Sequence, residues 1–232
     1  SDRFKIAIHF SLEQAAHRLF QLFYIGAALW PCPKDGMIDS KDDRAAGPAS
    51  QLIQREGHIM ITGELKNKIN ALWEIFWTGG ITNPLDVVEQ MTYLMFIRDL
   101  DDTDSLKARE CAMLGLPHTS IFGGEVSVGT QTVPGSQLKW SVFRDFPAER
   151  MYSVVQEQVF PFIKNLHGDK TSAYARYMDD AIFKIPTPLM LDKVVTALDD
   201  IYDQMAQLRD GDVRGDVYEF LLSKIATAGV NG

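Results

Sequence analysis

Asp99, Asp101 and Glu110 stand at positions 1, 3 and 12 of the stretch DLDDTDSLKARE, where an EF-hand loop carries calcium ligands. The remaining positions do not follow the pattern. Such a loop needs Gly at position 6 for its turn, and this chain has Asp104 there, with Thr103 at position 5. A solvated helix end is the simpler reading of this acidic run. HGDKTS (167–172) has the residue types of a phosphate loop in the wrong order. Asp169 separates Gly168 from Lys170, and Ile163 stands where the earlier glycine belongs, so a surface loop is the better reading.

Other constellations fall short in the same way. GGEVSVG (123–129) has glycines without the strand–GxGxxG–helix context of a dinucleotide site. Ser136 lies in PGSQL, which is not a nucleophile elbow. The five histidines are scattered and form no HExxH. Asp179 and Asp180 are neighbours, and neighbours on a helix do not face each other, so they make a poor acid–base couple. The aromatic run ALWEIFW (71–77) could stack bases, but its spacing is that of a helix face packed on a core. No motif marks a catalytic, cofactor-binding or metal site.

The elements that would position these residues are mostly helical. The 232 residues are 46% hydrophobic and 23% charged, enough to bury a sizeable core and too apolar for wholesale disorder. A net charge of −8 argues against polyanion binding over the whole surface and leaves room for a local basic face. The two cysteines, Cys32 and Cys111, form no CxxC and fit a reducing, cytoplasmic setting. LFQLFYIGAALW (19–30) is too short to span a bilayer.

FKIAIHF alternates like a short strand, and SLEQAAHRLFQLFYIGAALW reads as a helix capped by Ser11. A Pro-, Gly- and Asp-rich linker follows over 31–57. Leu65, Ile69, Leu72 and Phe76 then share one helical face, and TGG (78–80) ends that helix. Asn83 and Pro84 open the next, over roughly 84–100. It is apolar nearly all round, which predicts a central buried helix, and LDDTDSLKARECAMLG can continue it.

IFGGEVSVGTQTVPGSQ suits a long loop or small hairpin. After Pro147, Met151, Val154, Val155 and Phe162 share a face, and Pro161 should bend or end that helix. SAYARYMDDAIF reads as a short helix. Thr187 and Pro188 open a long helix striped by Leu191, Val194, Leu198, Ile201, Met205 and Leu208 and ended by Gly211. Tyr218, Leu221, Leu222 and Ile225 line the last helix. The expected fold is all-α, a mainly helical bundle with at most a small β-hairpin or short strand.

LKNKINALWEIFWTGGITNPLDVVEQMTYLMFIRDLDD (65–102) resembles the opening of the modification subunit of type I restriction-modification systems. LKWSVF, DAIFKI, LDKVVTALDDI and GDVYEFLLSKIA follow in that family's order. The resemblance covers about residues 61–232 and leaves 1–58 outside as an extension of unassigned role. Trp77-Thr78-Gly79 replaces the Leu-Arg-Gly common in the family, which puts any contact of that Arg in doubt here.

The resemblance implies a helical N-terminal domain that assembles the complex and engages double-stranded DNA. Its implied partners are a specificity subunit, a restriction subunit and a second modification subunit. It also implies that the full-length protein transfers a methyl group from S-adenosylmethionine to adenine N6, in a catalytic domain whose motifs lie outside this chain. Candidate phosphate contacts are Lys66, Lys68, Arg209, Arg214 and Lys224. The alternative is a helical adaptor that docks the specificity subunit without touching DNA. An independent metal enzyme using Asp99, Asp101 and Glu110 would require metal-dependent activity, which is not expected.

Overall fold

The computed structural model describes residues 63–166, 178–207 and 213–228, without the side chains of Arg214, Tyr218, Leu222 and residues 225–228. The strand and helix expected within residues 1–30, the linker, HGDKTS, Leu208, Arg209 and Gly211 lie outside the described residues.

Helix α1 spans Gly63–Thr78 and buries Leu65, Ile69, Leu72 and Phe76, the face that the spacing predicts. It ends where Gly80 takes φ +96°, a conformation that costs glycine nothing, and the Ile81 N–H closes the turn on the Phe76 carbonyl at 3.0 Å. Helix α2 spans Pro84–Leu114. Asn83 Oδ1 accepts the Leu85 N–H at 3.1 Å, and Pro84 fills the first position, where a missing N–H does no harm. The acidic stretch does continue the helix, to a left-handed Gly115. At 31 residues α2 is about 46 Å long at 1.5 Å per residue. Every residue from Gln90 to Arg98 is buried, so α2 is the central helix that its sequence predicts.

Strands β1 (Glu125–Val128) and β2 (Gln131–Pro134) form an antiparallel hairpin with Val126 opposite Val133. A 3-10 turn (Gly135–Leu138) and a one-turn helix α3 (Trp140–Phe143) follow. Helix α4 (Ala148–Val154) runs through a π-helical turn (Val155–Val159) into α5 (Phe160–Lys164). Pro161 therefore does not end the helix. It falls within the first two positions of α5, directly after the π turn in which Phe160 N–H reaches back to the Val155 carbonyl.

Of the helix expected over SAYARYMDDAIF, the described residues are helical at Met178 and Asp179, and the helix has ended by Ala181. Residues 181–187 run as a non-helical strap, and residues 171–177 lie outside the described residues. The strap is held by side chains instead of by its own turns. Gln90 Nε2 donates to the Ile182 carbonyl at 2.9 Å, and Gln90 Oε1 accepts the Lys184 N–H at 2.8 Å. Tyr152 Oη donates to the Ile185 carbonyl at 2.9 Å. Pro186 and Pro188 also disfavour helix in the residues that precede them.

Helix α6 (Pro188–Gln207) is capped by Thr187, whose Oγ1 accepts the Met190 N–H at 3.3 Å. Leu191, Val194, Leu198, Ile201 and Met205 are buried along it. Helix α7 (Val213–Ala228) buries Val217 and Leu221. Of its expected face, Leu221 alone is among the described side chains. Helix α6 packs along α1 and across α4, while α7 lies on α2, and one continuous core joins them. The fold is mainly helical, and the hairpin is its one sheet among the described residues.

Candidate functional site

Two polar systems and one basic edge carry the chemistry of the described residues. The first polar system lies within the acidic stretch, which is solvated at Asp102, Arg109 and Glu110 but not throughout. Asp101 and Asp104 are buried, on the face of α2 that meets the hairpin loop and α3. Asp104 accepts from Ser120 Oγ at 2.7 Å and Lys139 Nζ at 3.2 Å, and pairs with His118 Nε2 at 3.1 Å. Asp101 accepts the Ser141 N–H at 2.8 Å, with Lys139 Nζ at 3.5 Å. Burial works against the Asp104 carboxylate, but hydrogen bonds from Ser120, Lys139 and His118 and the Lys139 charge outweigh it. They hold its pKa below the ordinary Asp value.

An EF-hand arrangement does not arise from these residues. A straight helix holds Asp99 and Glu110 about 16 Å apart along its axis and puts Asp101 on its opposite side, where a loop would converge all three. Asp99 Oδ1 meets Tyr202 Oη at 3.1 Å, and Glu110 is exposed. Among the described residues, no group of three His, Cys, Asp or Glu could hold a metal ion.

The second polar system centres on Arg98, a buried cation on α2. It pairs with Asp199 of α6, and its guanidinium lies 4.2 Å from the Tyr202 ring centroid and 5.8 Å from that of Trp140. Asp199 also accepts from Trp140 Nε1 at 2.9 Å and Arg144 Nη1 at 3.3 Å. Burial lowers the Arg98 pKa, and the neighbouring Asp102, Tyr202 and Asp203 oppose that shift. The Arg98 and Trp140 bonds to Asp199 are sheltered, and the Arg144 bond is exposed. They lock α2, α3 and α6 together and offer no substrate an open functional group.

The basic edge lies where α1 begins. Lys66 on α1 and Lys224 on α7, far apart in sequence, both approach the ring of Phe220, at 6.0 Å and 5.3 Å from its centroid. Beside them Gln204 Nε2 reaches Glu64 Oε2 at 3.3 Å, tying α6 to the same end of α1. Lys68 is half-buried on α1 and, two residues on, faces away from Lys66. Arg214 lies on α7 with its side chain outside the described residues, and Arg209 lies outside them altogether. Two of the five candidate cations are therefore brought together. The aromatic that joins them, Phe220, was legible only as part of a helix motif.

The aromatic run behaves as a core face at Phe76 and Trp73 and departs from it at Trp77, which is 48% exposed. Thr78 turns its hydroxyl back onto the Glu74 carbonyl at 2.7 Å. Leu189 is exposed at the neighbouring start of α6, which Gly79 meets closely at Met190.

The family described as the HsdM N-terminal domain matches residues 65–198. The chain belongs to that family. As an HsdM N-terminal domain, it is the N-terminal part of a type I restriction-modification modification subunit. The match runs from the first buried leucine of α1 to Leu198 in α6, so it takes in the Asp104 and Arg98 systems up to that residue. Lys66 falls inside the matched range and Lys224 beyond it. No curated protein and no solved structure matches the chain. No described helix is long and apolar enough to cross a membrane.

Proposed function

We propose that this domain engages double-stranded DNA through the edge formed by α1 and α7, while helping to assemble the modification subunit with its partners. The convergence of Lys66 and Lys224 on Phe220 supports this reading. Two ammonium groups on one edge give a local positive site on a chain of net charge −8, and phosphate contacts need only such a local site. Lys side chains act there as point charges on the backbone, so the contact would position the duplex and carry no sequence preference. Sequence reading would fall to the specificity subunit. Methyl transfer from S-adenosylmethionine to adenine N6 would belong to a catalytic domain of the full-length subunit, with the target base flipped out of the duplex. The restriction subunit and a second modification subunit complete the proposed assembly.

Fluorescence anisotropy with two unrelated duplexes at low salt tests this reading. The chain should bind both with similar affinity, and Lys66→Ala/Lys224→Ala should weaken both about equally. A second reading, a protein adaptor that never touches DNA, is favoured by the exposed Trp77 and Leu189 at the opposite end of α1. Affinity for the specificity subunit without any for duplex would support the adaptor and overturn DNA engagement.

A further inference from the structure

We draw no further inference here: the strongest candidate, the exposed apolar surface patch of Leu106, Met113, Leu114 and Leu116 around the end of α2, carries nothing because nothing in the structure shows what covers it.

Discussion

Arg98 is the most exacting residue of the core, because a buried cation is tolerated only while its counter-charge is in place. Asp199 supplies that charge and also takes the Trp140 indole N–H. Asp199→Ala would leave a guanidinium, 11% exposed, without its closest anion and would orphan the indole donor. We expect a loss of about 3 kcal/mol in urea denaturation, the scale for breaking one side of a buried pair. A loss below about 1 kcal/mol would mean that water or Asp102 replaces the partner. Asp104 makes a pH prediction at the same scale. Its folded-state pKa lies below its unfolded value, so its contribution is fully present above the ordinary Asp range near 3.8. It is lost as pH falls through the depressed folded value. At pH 7 Asp104→Asn should lower stability. Below about pH 4 the stability of wild type should fall toward that of the variant. Parallel curves down to pH 2 would contradict the assignment.

At the scale of elements, the strap over residues 181–187 shows how one side chain can replace a turn. Gln90 of α2 both donates to Ile182 and accepts from Lys184, as a strand partner would. Gln90→Ala removes both bonds, and should cost about 2 kcal/mol and speed amide exchange at Lys184 selectively. Unchanged protection at Lys184 would show that Lys184–Asp86 and Tyr152 hold the strap unaided. The strap also marks the limit of sequence reading. The faces of α1 and α6, the Asn83 cap and the hairpin were legible because each depends on residues within a few positions of one another. Gln90 was not legible, since its partners lie 92 and 94 residues away. Asp101 and Asp104 read as a solvated run for the same reason. Composition shows charge, but only tertiary packing brings Lys139, His118 and Ser120 to Asp104. At the basic edge, Lys66 and Lys224 were identifiable as cations, while their meeting at Phe220 required the packing of α1 and α7.

At the scale of the whole molecule, an acidic chain of helices buries Asp101 and Asp104 of its most concentrated acidic stretch against its own loops and keeps two lysines together at one edge. That arrangement suits a domain that touches DNA by its backbone at one place and leaves sequence reading to a partner. The salt dependence of duplex binding tests this most directly, because each phosphate neutralised releases counterions and adds about 0.9 to the slope of log K against log salt. The wild-type chain should bind duplex at low salt with a steep negative slope, and Lys66→Ala/Lys224→Ala should reduce that slope by roughly 2. No duplex binding at low salt, or a slope that the double substitution leaves unchanged, would contradict the account.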